Sequence, residues 1–166
     1  VRAWRITSRS YAHAAFTGEG AAKSPGRWNR LGVPLGVRSQ SVPKGIVPVV
    51  YLAEHLSTGI LEVLVHVDDR AHLAAFVAIE VEIPDPHVEE LSELPPDWRQ
   101  LPEPYPESTQ RLGSEWALSL RSLALRVPSA VVPVEFNLLL NPRHPAMREV
   151  RTGEPQPLFL DPRLLR

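Results

Sequence analysis

The chain has 166 residues, 43% of them hydrophobic, with a formal net charge of -1. This is enough apolar material for one packed domain, and there is no basic surplus to hold nucleic acid or an anionic membrane. The absence of cysteine excludes disulfides, thiolate catalysis and Cys-based zinc sites. No apolar run reaches the ~18–20 residues needed to span a bilayer, so a soluble cytoplasmic protein is expected.

Val1 to Ile6 reads as a short edge strand, and Tyr11 to Asn29 as a glycine-rich, turn-forming stretch. Leu31 to Pro48 continues as loop before a buried strand over Val49 to Ala53. Ser57 is placed to cap a helix running to about Val67, with Ile60, Leu61, Leu64 and Val65 on its buried face. From His72 to Ile83, Val77, Ile79, Val81 and Ile83 alternate with Ala78, Glu80 and Glu82, a half-buried strand. An acidic, proline-rich connection follows over Pro84 to Ser108. Thr109 to Leu123 then fits an amphipathic helix with Leu112, Trp116 and Leu120 on one face. Three β segments are expected at Ala124–Val127, Ala130–Val134 and Phe136–Leu140, and a short strand at Leu158–Leu160. Strands and helices do not alternate regularly, which predicts an α+β domain.

Several motifs fail on inspection. The stretch Thr17 to Ser24 has Thr17 and Ala22 where a phosphate-binding loop needs glycine, and Lys23 stands where a third dinucleotide-fold glycine would be. His55 and His66 lie three turns apart, too far to grip one ion, and Ser119 and Ser122 have no histidine or aspartate partner in sequence. No metal is expected.

Four ordered patterns remain. They are Trp4-Arg5-Ile6 followed by Phe16 to Ala21; Gly26-Arg27-Trp28-Asn29; Val50 to Glu54 leading into Ile60-Leu61-Glu62; and Val127 to Pro133 followed by Glu135, Asn137 and Leu139 to Pro145. Together they resemble the RES-domain family, named for arginine, glutamate and serine, over most of the chain. The resemblance implies a single RES domain over 1–166 with an ADP-ribosyltransferase-like mixed sheet, flanking helices and a cleft for NAD. It implies NAD cleavage by water or phosphate, or ADP-ribose transfer to a protein. It also implies an Xre-type antitoxin that blocks the cleft, and leaves a homo-oligomer within that complex open. Relative to the family pattern, residues 30–47 stand out as an insertion near the cleft mouth.

The residue types suit that chemistry. NAD joins a dianionic pyrophosphate to a cationic nicotinamide, and breaking the glycosidic bond passes through an oxocarbenium-like ribose. A phosphate clamp, a surface for nicotinamide and a carboxylate near the growing positive charge are required. Arg27, in a turn-rich stretch, is the first clamp, with a surface arginine stacked on Trp28 as the alternative. Arg5 is the second, with a structural ion pair as its alternative. Tyr51 either stacks on nicotinamide or is a core tyrosine. Glu62 occupies the family's catalytic position, yet on the helical wheel it falls on the solvent stripe. Ser129 either binds substrate or holds Arg27. Asn137, Asn141 and His144 are read as loop-shaping residues. A non-enzymatic nucleotide-binding or interaction domain is the rival from another class; Arg27, Tyr51 and Glu62 together argue against it.

Overall fold

A computed structural model describes residues 1–23, 26–30, 47–67, 70–101 and 104–165. The strands are β1 (Arg2–Ser8), β2 (Val50–Ala53), β3 (Phe76–Glu82), β4 (Val88–Glu90), β5 (Ala124–Pro128), β6 (Phe136–Leu140), β7 (Arg151–Thr152) and β8 (Gln156–Pro157). The α-helices are α1 (Glu19–Lys23), α2 (Leu56–Leu64) and α3 (Glu107–Ser119). The strands form one sheet in the order β4-β5-β6-β2-β1-β3-β7, with β8 also on β3. Among the described residues only β4 and β5 run parallel; the other pairs are antiparallel. The protein is therefore α+β, as expected.

Two halves of the sheet meet at a narrow joint. β1 and β3 register over seven pairs, and β2 and β6 over four, whereas β1 and β2 share the single pair Trp4–Ala53. Beyond it the strands diverge, because Arg5 to Ser8 are not paired to β2. One side of the sheet buries Ala3, Val50, Leu52, Val81, Leu138 and Leu140. On the other, Val49, Leu125, Val127 and Leu139 pack with Trp28 and with Trp116 of α3. Trp116 is fully buried and donates its indole N–H to Ser122 Oγ at 2.7 Å.

The sequence places most elements correctly, and the misses have physical causes. β1 is an interior strand between β2 and β3, where an edge was expected. Residues 130–134, apolar enough to suggest a strand, form the turn between β5 and β6, with Val134 84% exposed. Pro133 cannot donate to a ladder, and the Ser129 hydroxyl captures two backbone amides of the turn. β4 lies inside the proline-rich connection. The tail strands fall at β7 and β8, ahead of Leu158–Leu160. His55, with no side-chain capping bond, precedes α2, and Ser57 lies within its first turn. α3 stops at Ser119 because Leu120 turns left-handed (φ 54°) and is exposed. Residues 31–46, most of the expected insertion, lie outside the described residues.

The outer strand β4 carries paired charges. Arg121 Nε contacts both Glu89 oxygens at 2.8 and 2.9 Å, and Arg126 NH1 meets Glu90 at 3.1 Å. Arg126 also holds Glu54 with two bonds, at 2.6 and 3.0 Å, and lies over the Phe136 ring. Among the described residues no helix is long and apolar enough to cross a membrane.

Trp116→Ala removes a fully buried indole and should cost about 3–5 kcal/mol of stability, read as a lowered urea midpoint. A change below about 1 kcal/mol would mean that α3 contributes little to the core.

Candidate active site

Helix α2 approaches the sheet at a small residue. A Cβ on Gly59 would lie 3.1 Å from Ile6 Cδ1 and 3.3 Å from Ala53 Cβ, so the helix seats directly on the β1–β2 joint. Thr58 and Gly59 are its buried residues. Glu62 follows them by four and three positions and therefore shares their face. This overturns the solvent-stripe reading of Glu62: it is half-buried, while Leu61 and Val65, expected inside, are exposed.

The Glu62 carboxylate is held asymmetrically. Its Oε1 accepts from Ser129 Oγ and from Asn137 Nδ2, both at 2.7 Å. Among the described residues Oε2 has no hydrogen-bond partner. Ser129, fully buried, also accepts from the amides of Val131 (3.2 Å) and Val132 (3.0 Å). A hydroxyl has one proton and two lone pairs, so Ser129 has no capacity left for a ligand. Of its two expected roles, holding Arg27 is not what the hydroxyl does; it holds Glu62. Asn137, read from the sequence as loop-shaping, sits on β6 opposite Ala53 and Val127. Its Oδ1 is buried and unpaired, a situation that typically costs about 1–3 kcal/mol.

The Gly26–Asn29 turn is built around Tyr51. The Tyr51 hydroxyl donates to Asn29 Oδ1 at 2.7 Å and accepts from the Trp28 amide at 3.0 Å. Asn29, fully buried, also accepts from the Gly26 amide and donates to Ala21 and Val47 carbonyls. Gly26 has to be glycine, since a Cβ there would sit 2.5 Å from the phenol oxygen. Helix α3 grips the other side of the turn: Gln110 donates to the Gly26 carbonyl, and a Cβ on Gly113 would lie 2.1 Å from the Trp28 carbonyl. Burial pushes the Tyr51 hydroxyl well above the usual tyrosine range, against the opposing Trp28 amide. It remains a neutral phenol, spent within the protein, leaving only its ring for a ligand.

Arg27 is only 8% exposed. It does not stack on Trp28: the guanidinium lies 4.9 Å from the Tyr105 ring centre, with NH1 donating to the carbonyls of Trp98 (2.6 Å) and Gln100 (3.3 Å). Burial pulls it below the ordinary arginine value, while Tyr105, Glu62 and Tyr51 act in the opposite direction, so its field reaches the carboxylate and both rings.

Arg5 stands in the opening between the diverging strands. Nε donates to the Ala15 carbonyl (3.3 Å) and NH1 to the Tyr51 carbonyl (3.2 Å). Burial lowers it to about 10, which keeps it cationic at neutral pH. Among the described residues no carboxylate pairs with it, so the ion-pair alternative fails. It borders a cavity of about 200 Å³ with Ala15, Gly18, Val49 and Tyr51. That cavity does not include Arg27, Glu62 or Ser129. The site thus has two parts, a cationic pocket bordered by Arg5 and Tyr51 and a carboxylate cluster of Glu62, Ser129 and Asn137. The sequence signal for Asn137 was faint: an asparagine inside an apolar strand, one strand away from the glutamate's helix.

A sheet split at one joint, with arginine in the gap and a tethered glutamate over the joint, defines a class of α+β domain with a polar cleft. A model of the RES domain matches residues 2–161. The chain belongs to the RES-domain family. "Toxin Res" of Yersinia enterocolitica is 37% identical over 164 residues, covering 97% of each chain. The "Prs ADP-ribosylating toxin" of a Sphingobium strain is 32% identical over 170 residues, covering 98% of this chain and 96% of that one. The M. tuberculosis MbcT–MbcA toxin–antitoxin complex contains a chain of similar fold, with a TM-score of 0.63 and 20% identity over 99% of this chain and 86% of that one.

Tyr51→Phe leaves Asn29 Oδ1 and the Trp28 amide short of a partner, and should cost about 1–3 kcal/mol in chemical denaturation. A neutral substitution would show that the turn is held by α3 alone.

Proposed function

We propose that this chain is the toxin of a toxin–antitoxin pair and that it cleaves NAD at the nicotinamide–ribose bond, with water or phosphate as acceptor, draining the cofactor and arresting growth. The observation that carries the chemistry is Glu62: one oxygen fixed by two donors, the other unpartnered, within the field of Arg27. A carboxylate so held needs no reorganisation to face a growing positive charge on ribose. Arg27 and Arg5 supply cationic donors for the pyrophosphate, and both are already fixed on backbone carbonyls. The Tyr51 ring offers a flat surface for nicotinamide. Ser129 works through Glu62 as a positioning residue. The toxin names of the relatives support the biological role, and the fold's likeness to a toxin solved with its antitoxin supports a protein partner; an Xre-type antitoxin over the cleft is part of the proposal. The cytoplasm, where NAD is plentiful, is the place for this activity.

A second reading, ADP-ribose transfer to a protein, draws support from the name of the Sphingobium relative. It uses the same bond cleavage with another acceptor.

The test is nicotinamide release from NAD by purified protein, with and without phosphate, beside Glu62→Gln. The variant keeps an acceptor for Ser129 and Asn137, so it should melt near wild type while losing roughly 10²–10³-fold or more in kcat. Acceleration by phosphate identifies phosphorolysis. Wild type that releases nothing until a protein target is added favours the transferase, and an active Glu62→Gln removes Glu62 from the chemistry. Arg27→Lys keeps the charge but loses the planar fork, and should chiefly raise KM; an unchanged KM would release Arg27 from the clamp.

A further inference from the structure

Glu135 belongs to the fourth of the sequence patterns, and the chemistry assigned to the cleft leaves it unused. The β2–β6 pairing places it. Beyond Ala53–Asn137 the ladder continues, with the Glu54 amide donating to the Phe136 carbonyl at 3.1 Å. One step further His55, at the start of α2, stands opposite Glu135. There His55 Nδ1 donates to Glu135 Oε2, and Thr58 Oγ1 donates to the same oxygen at 3.4 Å. Helix α2 has no acidic residue in its first turn, and His55 makes no capping bond to it. The carboxylate that suits the positive end of the helix therefore comes from the turn before β6.

Two carboxylates thus cross between the same two elements. Glu62 of α2 reaches the turn at Ser129 Oγ (2.7 Å), and Glu135 of the turn reaches α2 at Thr58. Thr58 and Glu62 are four residues apart on one helix face. Ser129 and Glu135 are joined in turn by the bond from the Ser129 amide to the Glu135 carbonyl at 2.9 Å. The Glu135 amide also donates to the Val132 carbonyl at 2.9 Å, closing the loop whose Val131 and Val132 amides reach Ser129 Oγ. The result is a closed frame of helix, turn and two carboxylates. One clasp alone would let the turn pivot about the Ser129–Glu62 bond; two fix its direction as well as its distance. We infer that Glu135 is a positioning residue for Glu62: it holds the Ser129 turn against α2 and so sets the direction in which the unpartnered oxygen of Glu62 faces. This rests on the reading of Glu62 as the carboxylate that faces ribose.

The experiment pairs kinetics with amide hydrogen exchange. Nicotinamide release from NAD is followed for wild type, Glu135→Gln, Glu135→Ala, Ser129→Ala and the Glu135→Ala/Ser129→Ala double variant, after a melting curve for each. Glu135→Ala should lose roughly 10- to 100-fold in kcat with KM nearly unchanged, since no binding group is altered. Glu135→Gln keeps an acceptor for both donors and should retain most of the activity. In the double variant the two losses should not multiply, because Glu135 acts through Ser129. A wild-type kcat in Glu135→Ala, a change confined to KM, or losses that multiply would overturn the inference. If Glu135→Ala does not fold, His55→Ala, at an exposed position, releases the same carboxylate from the helix side and is read in the same way. Independently of NAD, the Val131 and Val132 amides should exchange roughly tenfold faster in Glu135→Ala, while those of Leu138 to Leu140 keep their wild-type rates. Unchanged exchange at Val131 and Val132 would also overturn the inference. Wild type that releases no nicotinamide, with or without phosphate, sinks the NAD reading alone, and the clasp is then judged by exchange.

Discussion

How closely α2 lies on the joint between β1 and β2 decides most of what the cleft contains. Gly59 lets the helix backbone come within van der Waals contact of Ile6 and Ala53. At that height the carboxylate one turn on reaches hydroxyl and amide donors that belong to a different hairpin. A larger residue would lift the helix, and a shift of one ångström would exceed the tolerance of a 2.7 Å hydrogen bond. The glutamate's placement is thus a packing result before it is a chemical one. Its charge is offset by two donors, Ser129 fixed by the turn after β5 and Asn137 fixed by its place on β6.

Tyr51 couples the two arginines. Its carbonyl accepts from Arg5 at the strand opening, and its hydroxyl pins the turn that presents Arg27. Because the phenol is buried and fully bonded, it transmits position and does no proton chemistry. Arg27 is treated alike: carbonyls at Trp98 and Gln100 hold it, with the Tyr105 ring beneath. Both arginines are oriented by neutral groups, which steer a guanidinium without cancelling its charge. A cationic cleft so arranged keeps its attraction for an anion.

Much of the fold was legible from periodicity. Alternation in 77–83 marked β3, and the apolar run before Glu54 marked β2, because burial on one or both faces writes directly into sequence. The turn at 130–134 was not legible, since its valines satisfy a strand pattern while one serine hydroxyl reorganises the backbone. For the cleft, the family-ordered motifs picked out Arg5, Arg27, Tyr51, Glu62 and Ser129, and the structure links Glu62 to Ser129 and Tyr51 to Arg5 by direct bonds. What sequence could not give was direction. A helical wheel built on the largest apolar residues rotates α2 wrongly, because the small pair Thr58–Gly59 sets its buried face. Asn137 escaped for a similar reason: its importance lies across the sheet, and no local pattern records a cross-strand neighbour.

The charges on β4 have a consequence for how copies of the chain can meet. An outermost strand with free backbone groups is a template on which a second sheet can grow. Here that strand is three residues long, and its glutamates are engaged by Arg121 and Arg126. At the far side β7 and β8 have two residues each. Among the described residues neither border offers a run long enough to template another chain. Self-association by sheet extension is therefore discouraged at both borders, and among the described residues contact between molecules falls to side chains on the faces, where shape and charge can choose the partner.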